Sequence, residues 1–172
     1  VGLAGAGYIG RMMIRLFQTF HARVLVYDPF LTEEAAAKLG VELVSLDRML
    51  AESDIVSLHV PSLPETRHMI GAEQLARIKD GALFINTARG ALVDEPALIE
   101  ELRKGRFTAV LDVYAKEPLP DDSPLRSLPN AILAPHAAGH THETYLRQGA
   151  TAVDETLRFL AGEYARALVD FE

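Results

Sequence analysis

Short apolar runs alternate along the chain with amphipathic stretches, and this alternation predicts the elements of the fold. Short, mostly apolar runs predict strands at residues 1–4, 24–27, 41–44, 55–58, 83–85, 107–111 and 131–133. Apolar residues at helical spacing predict helices at residues 9–20, 33–39, 46–51, 72–78, 95–104 and 142–160. Because the strands are rich in Val, Ile and Leu and mostly alternate with helices, we predict an α/β fold. Its core is a doubly wound parallel sheet with helices on both faces.

Capping residues mark several of these helix boundaries. A side-chain oxygen at the N-cap satisfies an otherwise unpaired backbone N–H, and the predicted N-caps are Thr32, Ser45, Asp94 and Thr141. Gly40 and Gly105 follow two predicted helices, where glycine tolerates the left-handed conformation that ends a helix.

The composition is that of one ordinary globular domain. Of the 172 residues, 49% are hydrophobic and 24% are charged, which is enough for a core without disulfides. The net charge of −7 disfavours binding to nucleic acid or to an anionic membrane surface. There are no cysteines, so thiolate chemistry is excluded. No apolar run approaches the ~20 residues of a membrane span and no signal peptide is visible, so we predict a soluble, cytoplasmic protein.

A glycine motif follows the first predicted strand and opens the first predicted helix. It reads Gly5-Ala6-Gly7-Tyr8-Ile9-Gly10. In the pattern G-x-G-x-x-G, Gly5 permits the tight turn, Gly7 lets a pyrophosphate approach the backbone, and Gly10 lets helix and strand pack closely. The helix N-terminus then offers N–H groups and a partial positive charge to the phosphates. The motif predicts a Rossmann-type dinucleotide site.

Asp28 strengthens this interpretation because it ends the second predicted strand, 18 residues after Gly10. A carboxylate there accepts hydrogen bonds from an adenosine ribose and repels a 2′-phosphate. Pro29 and Phe30 follow, with no arginine to pair with such a phosphate. We therefore predict NAD rather than NADP as the cofactor. The alternative is that Asp28 only begins the Asp-Pro turn.

Three charged or titratable side chains follow successive strands in the second half of the chain. Arg89 comes after the strand at 83–85, Glu117 after 107–111, and His136 after 131–133. A guanidinium at a strand end clamps a carboxylate through two parallel hydrogen bonds. A histidine takes the proton of a hydroxyl group as hydride leaves the same carbon, and a carboxylate partner fixes its tautomer. The set therefore suits alcohol–ketone chemistry.

Each of the three residues also has a structural alternative. Arg89 would be a surface residue paired with Asp94, Glu117 a solvated loop charge, and His136 a loop histidine held by backbone hydrogen bonds. We interpret the set as catalytic because all three follow a dinucleotide motif.

The remaining histidines do not change this picture. His136, His140 and His142 form a possible metal set, but such a site needs a carboxylate or a third ligand on the same face, and His136 already belongs to the catalytic set, so we predict no metal. The others, His21, His59 and His68, have no companions along the sequence and are predicted to be structural or exposed.

Together the motifs resemble those of the NAD-binding domain of the D-isomer-specific 2-hydroxyacid dehydrogenases. The likeness runs from Val1 to the region of Gly162, nearly the entire chain. Beyond the glycine motif it rests on Tyr27-Asp28-Pro29, Ser57-Leu58-His59-Val60-Pro61, Pro64-Glu65-Thr66, Asn86-Thr87-Ala88-Arg89-Gly90, Asp112-Val113, Glu117-Pro118 and Pro135-His136-Ala137-Ala138-Gly139.

The resemblance implies a role for each residue of the predicted site. Arg89 would hold the substrate carboxylate, His136 would be the acid/base, and Glu117 would be its partner. Asp112 would bind the nicotinamide carboxamide, although it also suits a cap for the turn that follows it. The other residues implied to contact the cofactor are Gly5, Gly7, Tyr8, Ile9, Gly10, Asp28, Val60, Pro61, Thr87, Gly139 and, again, Arg89 and His136. Glu117 argues against the formate-oxidising branch, which has Gln there.

The resemblance also implies a domain organisation and partners. Residues 1–162 would be the dinucleotide-binding domain, and 163–172 would begin the return to a substrate domain that lies mostly upstream of Val1 in this family. The chain alone would then bind NAD but turn over slowly or not at all. The implied partners are a small 2-hydroxy or 2-keto acid and a second copy in a homodimer. Two alternatives are a non-catalytic NAD-sensing module of the corepressor type and an S-adenosylmethionine-dependent methyltransferase.

Overall fold

The alternation of strands and helices is present in the structure, a computed structural model that describes residues 1–164. The strands are β1 (Gly2–Ala4), β2 (Leu25–Tyr27), β3 (Glu42–Leu43), β4 (Ile55–Leu58), β5 (Leu83–Asn86), β6 (Thr108–Leu111) and β7 (Ala131–Leu133). The α-helices are α1 (Tyr8–Thr19), α2 (Glu33–Leu39), α3 (Leu46–Glu52), α4 (Ala72–Arg77), α5 (Glu95–Arg103) and α6 (His142–Leu160). Short 3-10 helices at Pro64–Thr66, Gly90–Leu92 and Pro124–Ser127 were not predicted, because single turns carry no periodic signal.

The predicted caps hold the ends of the helices. The side-chain oxygens of Thr32, Ser45, Asp94 and Thr141 each accept a hydrogen bond from a backbone N–H in the first turn of the helix that follows. Gly40, directly after α2, adopts a left-handed φ of 67°. These local signals are confirmed because a cap interacts only with its own helix.

All seven strands form one parallel sheet in the order β3-β2-β1-β4-β5-β6-β7. The order reverses direction at β1, which pairs with β2 on one side and β4 on the other. A ligand cleft is expected outside the carboxyl ends of the strands at such a reversal. The loops after β5, β6 and β7 are also neighbours, since these strands pair in sequence order.

Two apolar cores lie on opposite faces of the sheet. Successive strand residues point to opposite faces, and Leu3 joins a cluster with Ile14 and Ala36 of α1 and α2. Ala4 instead joins the larger cluster, which contains Leu50 and Leu75 of α3 and α4. Helices therefore cover both faces, and the predicted fold class is confirmed.

The chain divides into two compact units. The first, Val1–His136, contains the whole sheet and α1 to α5. The second begins at Ala137 and contains α6, whose side chains are all at least partly exposed. The predicted return segment, 163–172, lies almost entirely outside the described residues. Within residues 1–164, none of the helices combines the length and apolarity that a membrane crossing demands.

Candidate functional site

The glycine turn after β1 is held by neighbouring main chain. Gly5 has a φ of 96°, a conformation that residues with a side chain rarely adopt, and its N–H donates to the carbonyl of Tyr27 at 2.8 Å. A Cβ atom on Gly10 would collide with the Gly5 carbonyl oxygen. The chain therefore turns tightly enough for the end of β1 to contact the start of α1. Gly5, Ala6 and Gly7 of this turn line an open cleft.

The Asp28 side chain is hydrogen-bonded both to the glycine turn and to the Asp-Pro turn that it begins. One carboxylate oxygen accepts from the N–H of Ala6 at 2.7 Å, and the other accepts from the N–H of Phe30 at 2.9 Å. The Asp-Pro turn of the alternative interpretation is thus present, but the same carboxylate also anchors the glycine turn. Because a carboxylate has about four acceptor positions, each oxygen keeps capacity for a ribose hydroxyl.

The N-terminus of α1 is open to an anion. Gly7 occupies the N-cap position, no side chain caps the helix within the described chain, and its first turn contains no acidic residue. The first N–H groups of a helix lack partners inside the helix and carry a partial positive charge. Tyr8 and Ile9 are both exposed at this end. These features fit a diphosphate group, which the glycine motif predicts.

Two clefts, each of about 590 Å³, meet along the carboxyl edge of the sheet. The first contains Asp28 and Phe30, and its other walls come from Gly5, Ala6, Gly7, Arg11, Tyr27, Pro29, Leu31, Leu46, His59, Val60, Pro61, Leu63, Glu65, Thr66 and Met69. The second is lined by Gly7, Tyr8, Ile9, His59, Val60, Pro61, Ser62, Thr87, Ala88 and Arg89. Since they share Gly7, His59, Val60 and Pro61, one path leads from Asp28 to Arg89.

His59 has a partner, contrary to the sequence interpretation that it stands alone. Its Nε2 lies 3.0 Å from the buried Ser57 hydroxyl, with which it shares a hydrogen bond. Burial lowers the pKa of His59, which favours the neutral imidazole. Ser57 lies on β4 and His59 is the first residue after it, two positions further along the chain. The spacing of Ser57 and His59 can be read from the sequence, but only the structure shows that His59 lines both clefts.

The loop after β5 presents Arg89 to the second cleft. Asn86 is buried at the end of β5, where its side chain accepts from the N–H of Ala88 at 3.1 Å and donates to the carbonyl of Arg89 at 2.9 Å. The exposed guanidinium donates to the carbonyl of Ala88 at 2.6 Å. Asp94 instead caps α5 by accepting from the N–H of Ala97 and, within the described residues, no ion pair joins it to Arg89. The surface-pair alternative for Arg89 is therefore wrong.

Glu117 and His136 are brought together although they lie 19 positions apart in the chain. His136 Nδ1 lies 2.7 Å from one carboxylate oxygen of Glu117, and the other oxygen accepts from the N–H of Tyr114 at 3.0 Å. The hydrogen bond from His136 lowers the pKa of Glu117 most, and the hydrogen bond from the Tyr114 N–H lowers it further. The positive charge of Arg89 acts in the same direction. Glu117 thus stays ionised and orients the imidazole through Nδ1.

The remaining predicted residues lie in different surroundings. Asp112 is buried directly after β6, and its N–H donates to the carbonyl of Asn86 at 3.0 Å. Val60, Pro61 and Thr87 line the second cleft. Gly139 belongs to the second unit. Within residues 1–164, no three His, Asp or Glu side chains are grouped to hold a metal ion.

The site therefore combines an anion-binding turn, a path along the sheet edge and a carboxylate–imidazole pair with an arginine nearby. A fixed imidazole exchanges protons with a hydroxyl or carbonyl oxygen, and an exposed guanidinium binds a carboxylate. Sequence analysis assigned no role to Ser57, Asn86 or Tyr114, whose hydrogen bonds to His59, to the Arg89 loop and to Glu117 are seen in the structure.

Comparison with known proteins gives a consistent result. Residues 1–138 match the family model described as D-isomer specific 2-hydroxyacid dehydrogenase, NAD binding domain. The chain is 45% identical over 173 residues to a glyoxylate reductase of Korarchaeum cryptofilum, covering all of this chain and 52% of that protein. It is 39% identical over 172 residues to a D-3-phosphoglycerate dehydrogenase of Methanocaldococcus jannaschii, covering 99% of this chain and 33% of that protein.

A solved structure shows the same fold. The crystal structure of D-lactate dehydrogenase with NAD+ from Lactobacillus jensenii aligns with a TM-score of 0.86 and 35% identity, over 98% of this chain and 55% of that one. The chain thus spans about half the length, or less, of the relatives it matches.

Proposed function

This chain belongs to the D-isomer-specific 2-hydroxyacid dehydrogenases, as the NAD-binding domain of that family, and we propose that it serves an enzyme interconverting a 2-hydroxy acid and a 2-oxo acid. The observation that carries the proposal is the 2.7 Å contact between His136 and Glu117 at the strand edge that also bears Arg89. When bound, NAD would accept the hydride from the substrate carbon, and NADH would donate it in the reverse direction.

The proposed role of His136 is proton exchange with the substrate oxygen. Glu117 contacts Nδ1, so we assign the exchange to Nε2. During oxidation Nε2 takes the hydroxyl proton, and the positive charge that forms on the ring is stabilised by the ionised Glu117. During reduction the protonated ring returns that proton to the carbonyl oxygen. The main-chain hydrogen bond from Tyr114 holds the carboxylate in place throughout.

Arg89 is proposed to bind the substrate carboxylate. Its guanidinium is exposed to the cleft and its loop is fixed by Asn86, so the cation is held at a defined place. A carboxylate pairs with a guanidinium through two parallel hydrogen bonds, which sets the orientation of the substrate as well as its affinity. This requirement selects small acids with a carboxylate next to the reacting carbon.

A substrate panel tests the function. The full-length protein is incubated with NADH and glyoxylate, hydroxypyruvate, pyruvate or 3-phosphohydroxypyruvate, and the absorbance of NADH is followed. We expect turnover of at least one of the four, since all carry the carboxylate and carbonyl that Arg89 and His136 would recognise. Cofactor binding with no turnover of any 2-oxo acid would instead favour the non-catalytic corepressor-type alternative, which the relatives do not support.

Removing the charge of Asp28 is expected to reduce the preference for NADH over NADPH by about tenfold or more, because the carboxylate repels a 2′-phosphate. Asp28→Asn keeps one side-chain oxygen, which can still accept from the N–H of Ala6, and loses the acceptor of the Phe30 N–H. Fluorescence titration with both cofactors measures the ratio of dissociation constants. Asp47→Asn, on the exposed first turn of α3, is the matched control and should leave the ratio unchanged. An equal ratio in Asp28→Asn and wild type would contradict the assignment of Asp28.

The homodimer is also a proposal. Sedimentation velocity on the full-length protein at micromolar concentration tests it directly, with a species of twice the protomer mass as the expected result. A single species of protomer mass would contradict it.

A further inference from the structure

Tyr114 connects the loops that carry the three proposed catalytic residues, although no chemistry has been assigned to it. It lies three residues after the end of β6 and is only 7% exposed. Its side chain and its main chain both form contacts, and these reach the loops after β5, β6 and β7.

The hydroxyl group joins the ends of β6 and β7. It donates to the carbonyl of Ala134 at 2.7 Å and lies 3.1 Å from the carbonyl of Leu111. Ala134 stands two residues before His136, whose φ of 54° is left-handed and rarely adopted by residues with a side chain. A conformation of this kind persists only where the surroundings hold it. The hydroxyl bond to Ala134 supplies such a constraint.

The main chain of Tyr114 completes the connection. Its N–H donates to Glu117 at 3.0 Å, on the carboxylate oxygen that His136 does not contact. Its carbonyl lies against Gly90, where a Cβ atom would collide with it. Gly90 directly follows Arg89. One residue therefore touches the carboxylate partner, the strand end before the imidazole and the turn after the guanidinium.

We propose that Tyr114 is a positioning residue whose hydroxyl, by holding the carbonyl of Ala134, keeps the imidazole of His136 in hydrogen-bonding distance of Glu117. The inference rests on the proposed function for its effect on rate, but the geometry it describes is independent of that function. Burial raises the pKa of the Tyr114 hydroxyl, so it remains a protonated donor throughout the neutral range.

Tyr114→Phe tests the inference because it deletes the hydroxyl and keeps the ring. In the full-length protein we expect kcat to fall about tenfold, the change that the loss of one net hydrogen bond produces. KM for the 2-oxo acid and the dissociation constant of NADH should stay within about twofold, since Arg89 and the glycine turn are unchanged. Tyr164→Phe, at a site 81% exposed, is the matched control and should leave all three constants unchanged.

A spectroscopic measurement separates the inference from the proposed function. The ¹⁵N signals of the His136 imidazole report which ring nitrogen carries the proton, and the contact with Glu117 favours proton on Nδ1. We expect this tautomer to dominate in wild type and to lose population in Tyr114→Phe.

Each outcome is decisive. If wild type is active, a kcat for Tyr114→Phe within twofold of wild type overturns the inference. A fall in kcat that is matched by equal rises in KM and in the dissociation constant of NADH also overturns it. If wild type turns over no 2-oxo acid, the proposed function fails, and the imidazole signals alone decide: identical signals in the two proteins overturn the inference, and altered signals support it.

Discussion

His136→Asn is expected to lower kcat of the full-length protein by about 10³-fold, while the dissociation constant of NADH changes by less than twofold. Positioned acid/base groups contribute 10²–10⁴-fold, and an amide cannot exchange the proton of the substrate oxygen. Asparagine is chosen because it is among the residues that tolerate a left-handed φ, so the turn at 54° is retained. Stopped-flow or steady-state NADH absorbance measures kcat, and fluorescence titration measures cofactor affinity.

Glu117→Gln separates proton exchange from orientation in the same experiment. Glutamine still accepts a hydrogen bond from Nδ1 but cannot balance the charge of a protonated ring, so we expect a smaller loss of kcat than in His136→Asn. A thermal midpoint close to that of wild type would show that each variant folds. Two results would contradict the acid/base role of His136: a kcat close to that of wild type, or an equal loss of kcat and NADH affinity that indicates a packing role.

Arg89→Gln is expected to lower kcat/KM for the 2-oxo acid on the order of 10³-fold, because two charge-assisted hydrogen bonds to the substrate carboxylate are lost. The structure offers no compensating cation in the second cleft, whose described lining contains no other Lys or Arg. NADH affinity should change little, since the anion-binding end of α1 is untouched. Initial rates over a range of 2-oxo acid concentrations provide kcat and KM separately.

Arg89→Lys distinguishes a bidentate clamp from a simple positive charge. Lysine keeps the charge but not the planar pair of donors, so we expect partial activity with a raised KM. Arg103→Gln is the matched control, because Arg103 pairs with Glu100 on the exposed face of α5. Full activity in Arg89→Gln, or equal losses in Arg89→Gln and Arg103→Gln, would contradict the proposed contact.

Much of the fold could be predicted from the sequence because its signals are local. A cap such as Thr32 or Ser45 bonds to the helix that it begins, and apolar periodicity reflects the burial of one element at a time. The predicted bounds of β4, β7, α2 and α6 agree with the structure, and those of the other strands and helices differ by one residue at one or both ends. The 3-10 helices escaped prediction because a single turn is too short to show a period.

The site was predictable only in part. Arg89, Glu117 and His136 could be named because each follows a strand, and parallel strands end on the same edge of a sheet. The partners Ser57 and His59 could have been paired by their spacing of two residues at the end of β4. No sequence pattern, however, relates Tyr114 to Ala134, since they lie 20 positions apart and the segment between them includes an irregular loop.

By itself the sequence determined which elements form, which face of each is apolar, and which residue types stand at the strand ends, because these depend on neighbours along the chain. The order of the seven strands, the 2.7 Å approach of His136 to Glu117 and the double use of the Asp28 carboxylate were decided only by the tertiary structure. Contacts of this kind join residues about 20 positions apart in the chain, which the strand order and the packing on both faces of the sheet bring together.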